Sequence, residues 1–388
     1  MKKSMIRNPK TTAVLTALLV AGMATTPVMA AGSTYVPVNG TNTPFETTIY
    51  MRNTASVPNI TFHYDVKAGA AQAASDGKLA VLAGNDGVTS TGLPTIADIV
   101  FTANDEKASD GLSIQKQGTV NFSGVTYKEP GVYRYVVTET GEAQGVTHED
   151  DSDPHKAEDR VKALDVYVTD DGAGNLVVSG YVMHDSENAT QELDDKDTNF
   201  EHLLTTSDVE LSKKVEGNQG SRDEYFQFTV QIAGADKGTK FIVDLASADK
   251  ETKTNGVNTT AHTNPELLTA DEHGKVTADF WIQNGQSIKI QGLAGSTGYT
   301  VTEAENAYNT NIAVTGDTKN GEADIATVAG KAVTDTAVSK DTKVAYTNVK
   351  TGAVPTGIVM PIAGATSIML IGGAGVGYFI LKNKKREG

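Results

Sequence analysis

None of the 388 residues is a cysteine. Disulfides are therefore excluded, and an extracellular product must be stabilised by its hydrophobic cores, by metal, or by another covalent link. Aromatic residues are few, at 6%, and apolar residues make up an ordinary 39%. Cores of average quality follow, which keeps the third source of stability open. Positive charge is in deficit, with a formal net charge of −15. Four basic residues fall in the first ten positions and four in the last seven, so the chain between them is more acidic still. Such a surface repels nucleic-acid phosphate and anionic lipid. No nucleophile elbow, phosphate loop or paired catalytic carboxylate motif occurs, which argues against a hydrolase and gives no reason to expect a cofactor. No stretch shows a sustained helical period.

What is present at the two ends is targeting. Lys2, Lys3, Arg7 and Lys10 precede the apolar run Ala13 to Ala24, and Val28-Met29-Ala30 supplies small residues for signal peptidase, so residues 1–30 read as a signal peptide. At the other end Ala353-Val354-Pro355-Thr356-Gly357 leads into an uncharged run from Ile358 to Leu381, closed by Lys382, Lys384, Lys385 and Arg386. As a helix that run reaches about 36 Å, enough for a hydrocarbon core of about 30 Å. The basic cluster should remain cytoplasmic and leave the rest outside. An ordinary C-terminal anchor would look similar, but the Pro-Thr-Gly step, span and basic tail in this order resemble a Gram-positive cell-wall sorting signal. The resemblance implies that a sortase cuts between Thr356 and Gly357 and passes the Thr356 carbonyl to an amine. Ala353 and Val354 depart from the common Leu-Pro-x-Thr-Gly pattern in a way that resembles pilin subunits.

Between the ends the chain reads as β throughout. Ile60 to Val66 and Val132 to Val137 alternate with period two, and Asp170 to Asn175 is turn chemistry between strands at Ala163 to Val168 and Leu176 to Val182. The polar stretches Ala68 to Gly92 and Ala246 to Asn264 read as insertions or short helices. Val132-Tyr133-Arg134-Tyr135-Val136-Val137-Thr138-Glu139 recurs as Gly298-Tyr299-Thr300-Val301-Thr302-Glu303, so the expected fold is all-β, two tandem antiparallel immunoglobulin-like sandwiches. The expected division is a sandwich over residues 31–205, a second over 206–350 and the sorting signal over 351–388, with a polar linker at Thr205 to Ser207.

Alternation places one polar residue in each of three apolar faces of the second sandwich. Lys213 joins Val209, Leu211 and Val215; Asn348 joins Val344 and Tyr346; Glu303 joins Tyr299 and Val301. A single such Lys could be a surface residue in a misread register. Three polar residues of different kinds on three inward series are harder to dismiss, because burying an unpartnered ammonium is very costly.

The run Leu211-Ser212-Lys213-Lys214-Val215-Glu216-Gly217-Asn218-Gln219-Gly220, the two Tyr-x-Val-Thr-Glu-like copies, and Ala345-Tyr346-Thr347-Asn348 shortly before the sorting signal resemble the FctA or T-antigen type of backbone pilin. The resemblance spans the mature chain, strongly in the second half and more weakly in the first. It implies an isopeptide between Lys213 and Asn348, assisted by Glu303 as the catalytic group. Desolvation supplies the neutral amine and the neutral carboxylic acid that this needs.

In the first half, alignment with the family puts Thr47 at the lysine position and His202 at the asparagine position, while Glu139 remains. Nucleophile and electrophile are lost together, unless the register is slipped and Asn199 is the partner. Backbone pilins of this type place the lysine that accepts the next subunit shortly before the closing strand of the first domain. That implies Lys196, which three flanking carboxylates should hold protonated and exposed.

No metal site is expected. Glu149-Asp150-Asp151-Ser152-Asp153 lacks the spacing of a calcium loop, and His148 and His155 have no zinc-pair spacing. The reading is therefore a non-enzymatic shaft subunit of a wall-anchored pilus. Its partners would be other copies of itself and a sortase, with ancillary pilins and host surface ligands also possible and the membrane met only transiently. A monomeric wall-anchored adhesin is the alternative.

Overall fold

The computed structural model describes residues 36–37, 42–75, 78–148, 160–186, 196–316, 326–328 and 331–353. The leader, the acidic run from Glu149, His155 and the motif Val354-Pro355-Thr356-Gly357 with its apolar run lie outside them. The described residues form strands and turns without a helix, so of the two readings of Ala68 to Gly92 and Ala246 to Asn264, insertions or short helices, the helical one does not hold among them. The first stretch instead contains the short strands Val81–Ala83 and Ser90–Thr91, and the second a bridge between Glu251 and Thr263. Among the described residues no helix is long and apolar enough to cross a membrane.

Each half is a two-sheet, immunoglobulin-like sandwich. In the first, one sheet runs Val36–Pro37, Leu176–His184, Val161–Asp170, Gly131–Thr140, Ile60–Ala68, Ile99–Phe101, and its partner runs Val146–His148, Asn199–Leu204, Asn42–Tyr50, Ser113–Asn121, Thr95–Ile96. In the second, Leu267–Thr269, Lys240–Asp244, Ser287–Ala294, Thr206–Glu216, Thr342–Val349, Asn309–Thr315 and Ala326–Val328 form one sheet. Val276–Ile282, Phe226–Ala233, Gly298–Glu303 and Ala332–Asp335 form the other. Each half has its own core: Phe45, Phe62, Tyr135, Leu164 and Phe200 in the first, Leu211, Phe228, Phe280, Val301 and Tyr346 in the second. Burial of these side chains is the main favourable term holding each sandwich closed.

Pairing is antiparallel with a few exceptions, two of which matter for the site. In each half the opening strand lies parallel to the closing strand: Asn42–Tyr50 beside Asn199–Leu204, and Thr206–Glu216 beside Thr342–Val349. The second pair is fastened where it ends. Lys350 N–H donates to the Glu216 carbonyl at 3.1 Å, and Gly217 then turns at φ 89° with its Cα against the Lys350 carbonyl. A Cβ on Gly217 would lie 2.1 Å from that oxygen, so only glycine serves there.

The linker expected at Thr205 to Ser207 is shorter and drier than its composition suggests. Only Thr205 separates the strand ending at Leu204 from the one starting at Thr206, and its N–H donates to Gly145 O at 2.8 Å. Thr206, Ser207 and Asp208 are buried. Asp208 lies 2.9 Å from Lys289 and 3.9 Å from Arg52 of the first half, and Arg52 also reaches Asp341. Buried Thr206, Ser207 and Asp208, with more exposed charged partners around Asp208, look like a linker in sequence because they are polar.

Candidate functional site

In the second half, period-two pairing delivers Lys213, Glu303 and Asn348 to one place. Lys213 sits on the opening strand across from Tyr346, and Val215, two residues further, sits across from Asn348. Glu303 arrives from the other sheet, where it pairs with Phe228. All three are buried, Asn348 completely. The Lys213 ammonium nitrogen is 2.5 Å from Glu303 Oε1, and the Asn348 amide donates to that oxygen at 2.7 Å. Thr310, directly opposite Asn348 on the neighbouring strand, donates to Asn348 Oδ1 at 2.9 Å and lies 3.1 Å from Glu303 Oε2. The Phe226 ring is 4.2 Å from the lysine nitrogen, and that of Phe228 is 5.5 Å away.

The electrostatics favour a reactive amine. Burial outweighs the Glu303 carboxylate and brings Lys213 down to about 8. Lys162 provides the contrast within the same chain. It is equally buried, yet it lies 3.2 Å from both Asp185 and Asp197. There burial is outweighed by the two carboxylates, which raise its pKa, so Lys162 stays an ammonium ion. One carboxylate beside Lys213 and two beside Lys162 leave the two buried lysines with opposite pKa shifts.

The first half repeats the layout with other side chains. Thr47 pairs with Phe200 and Ile49 with His202, the same two-residue offset as Lys213 with Tyr346 and Val215 with Asn348. Glu139 pairs with Tyr64 as Glu303 pairs with Phe228. His148 stands opposite His202 as Thr310 stands opposite Asn348. Thr47, Glu139 and His202 thus occupy the Lys, Glu and Asn stations. Thr47 is hydrogen-bonded to the Tyr64 phenol at 2.6 Å, and the Phe62 ring stacks on His202 with centroids 4.3 Å apart. Asn199, the alternative partner, accepts a hydrogen bond from Thr48 at 3.0 Å and donates to Glu201, whereas Thr47 turns to Tyr64.

Thr47 rather than a lysine stands opposite Phe200 at the first-half site. The isolated first-half fragment, Ala31 to Thr206, should therefore keep its full sequence mass on intact mass spectrometry and melt below the second-half fragment. A deficit of about 17 Da, one ammonia, in the first fragment would mean that another Lys and amide had reacted.

Lys196 is half-buried rather than exposed. Its backbone bridges His184, and the next residue, Asp197, donates from N–H to Met183 O at 3.1 Å. Asp197 is occupied by Lys162, not Lys196. Desolvation lowers the Lys196 pKa, opposite to the shift expected from flanking acids. A partly desolvated amine beside a closing strand needs less help to lose its proton than a fully hydrated one.

No signal in the sequence points to Thr310 or to the Tyr64–Thr47 contact, and His148 is set aside there for lack of zinc-pair spacing with His155. Each depends on cross-strand register, which period-two patterning alone does not supply.

Comparison with known proteins adds three findings. Residues 55–201 match the family described as "Spy0128-like isopeptide containing domain" (FctA), and residues 207–350 match a domain of unknown function, DUF7601. The isopeptide-domain match thus falls on the first half, where the weaker likeness was expected. A curated "Pilin" of Streptococcus pyogenes serotype M1 is 26% identical over 293 residues, covering 73% of this chain and 76% of that one. Among solved structures, the major pilin of Streptococcus pyogenes is 22% identical with a TM-score of 0.56, covering 81% of this chain and 100% of that one. The T3.2 major pilin of the same species is 20% identical with a TM-score of 0.51, covering 81% and 99%.

Proposed function

We propose that this chain, whose residues 55–201 match the FctA isopeptide-containing domain and which is 26% identical to a curated pilin, is the non-enzymatic shaft subunit of a covalently polymerised, wall-anchored surface pilus. The proposal takes residues 31–205 and 206–350 as its two domains. It carries two kinds of covalent link, one within each subunit and one between subunits. The observation that carries it is the buried contact of Lys213 and Asn348 with Glu303, which joins the first strand to the last.

The geometry supports the following intramolecular reaction. Neutral Lys213 attacks Asn348 Cγ, and Glu303, positioned on both groups, moves the proton from the attacking nitrogen to the departing amide nitrogen. The Nζ–Cγ bond forms, the Cγ–Nδ2 bond breaks and ammonia leaves. Thr310 holds the carboxamide oxygen and so fixes the plane of attack. Folding presents the reactants in near-attack geometry, equivalent to a very high local concentration. The product replaces a buried charged pair by a neutral amide. The reaction is single-turnover, with neither cofactor nor metal.

The pH dependence has a definite sign. With Lys213 near 8, the neutral fraction falls tenfold for each unit below that value. In chain freshly made by cell-free synthesis at about pH 6 and then shifted, bond formation should speed up through about pH 8 and level off above it. A rate that is flat with pH, or that falls as pH rises, would exclude the neutral-amine step.

Between subunits, the Thr356 carbonyl of one copy is transferred by a sortase to Lys196 of the next. An acceptor on the first half and a donor after the second give head-to-tail contacts that do not close, and therefore a fibre. The test is a blot of native cell-wall extract boiled in detergent. A ladder of subunit multiples is expected, and a single monomer band would favour a wall-anchored adhesin.

A further inference from the structure

We propose that Glu139, His148 and His202 form a metal site for a divalent ion of the zinc type, a coordination crosslink at the first-half position equivalent to the isopeptide. The three side chains come from three strands and both sheets of the first sandwich: Glu139 from Gly131–Thr140, His148 from Val146–His148 and His202 from Asn199–Leu204. One ligating atom from each lies within 4.8 Å of the other two. His202 Nε2 is 3.1 Å from Glu139 Oε1, and its Nδ1 is 2.8 Å from His148 Nδ1.

A ligand is called for by the buried carboxylate. Glu139 is 1% exposed, and neither of its oxygens has a partner aligned for a hydrogen bond. His202 Nε2 is close, but it too lacks hydrogen-bonding alignment. The Tyr64 phenol, also near Glu139, is hydrogen-bonded to Thr47 at 2.6 Å. A buried carboxylate whose nearest polar neighbour, the His202 imidazole, is close but not aligned on it is costly, and a cation bound to it lowers that cost. Two imidazoles and one carboxylate are a donor set that suits zinc and its neighbours, leaving one position for water. Tetrahedral bonds of about 2.0–2.1 Å place ligand atoms a little over 3 Å apart, so closing on an ion asks for side-chain movements of about 1 Å. Glu142, exposed and held by Arg160, stands 3.6 Å from His148 Nε2 and marks the solvent side of the site.

The chemistry also matches the position. The isopeptide site ties opening strand, closing strand and facing sheet by a covalent bond. An ion on His202, His148 and Glu139 would tie the closing strand, its neighbour and the facing sheet without a lysine or an amide. The two halves would then be reinforced by different means, one permanent and one removable by a chelator.

The test uses the mature chain, stripped with a chelator and titrated with Co²⁺ and then Zn²⁺. One equivalent of Co²⁺ should bind with the strong visible absorption of a tetrahedral ion, Zn²⁺ should displace it, and the first-half melting transition should rise with metal. Glu139→Gln, which keeps size and shape, and His148→Ala should each abolish the absorption and the rise. Retention of the second-half mass deficit and of two melting transitions shows that the variants are folded. Absence of stoichiometric binding by the wild type, or equal binding by both variants, overturns the proposal.

Discussion

Recombinant mature chain from Ala31 onward, made without any sortase, should weigh about 17 Da less than its sequence requires, the mass of one ammonia. Glu303→Ala should restore the full mass, because the amine and the carboxamide would remain adjacent with no group to carry the proton between them. Lys213→Ala should do the same by removing the nucleophile. The bond closes a loop of about 135 residues, and by the chain-entropy model its loss costs on the order of 5 kcal/mol. For a domain of this size that corresponds to a fall of roughly 10–20 °C in the second-half melting temperature. Lys213→Ala separates the bond from the charge, since it also removes the buried ammonium. If the large fall arises from the missing crosslink, Asn348→Ala, which leaves lysine and glutamate in place, should fall at least as far. Full mass in the wild type would remove the intramolecular link from the account.

The second large effect concerns polymerisation. In the native host, Lys196→Ala should convert the detergent-resistant ladder to monomer while secretion and the internal mass deficit persist. The substitution removes a half-buried side chain beside the Asp197 to Met183 hydrogen bond, but leaves that backbone contact intact. Lys196→Arg keeps the positive charge and most of the packing, yet cannot form the same amide link, because a guanidinium stays protonated. It should therefore abolish the ladder as completely as alanine does. A ladder that persists in both variants places the acceptor on another lysine.

How much of this could be read from the sequence depended on the kind of signal. The inward series of three strands was legible because alternation is a strict property of a pleated strand. Lys213, Glu303 and Asn348 stood out as the polar interruptions of those series, and the structure brings them within hydrogen-bonding distance of one another through Glu303. Thr47, Glu139 and His202 were legible in the same way, and the register of the parallel opening and closing strands gives them equivalent stations. What stayed hidden was pairing across strands. His148 looked like one of two histidines in an acidic loop, and only its position opposite His202 makes it part of a cluster. Thr310 was one more threonine until it paired with Asn348. Lys196 looked solvated because its neighbours in sequence are acidic, but its environment is set by the bridge to His184, a residue twelve positions back. The junction misled for a related reason, since Asp208 is polar and yet buried against Lys289.

Tyr64 stands where the second half has Phe228, and its hydroxyl bonds to Thr47 at the lysine station. Restoring a lysine at position 47 alone would thus crowd the phenol and still face an imidazole rather than a carboxamide.

The most direct test of the central claim is to digest detergent-boiled wall polymers from the native host and sequence the branched peptides by tandem mass spectrometry. The account predicts a branch in which the carbonyl of Thr356 is joined to the side-chain nitrogen of Lys196. Polymers joined through a different lysine, or wall material that yields Thr356 attached only to peptidoglycan, would contradict it.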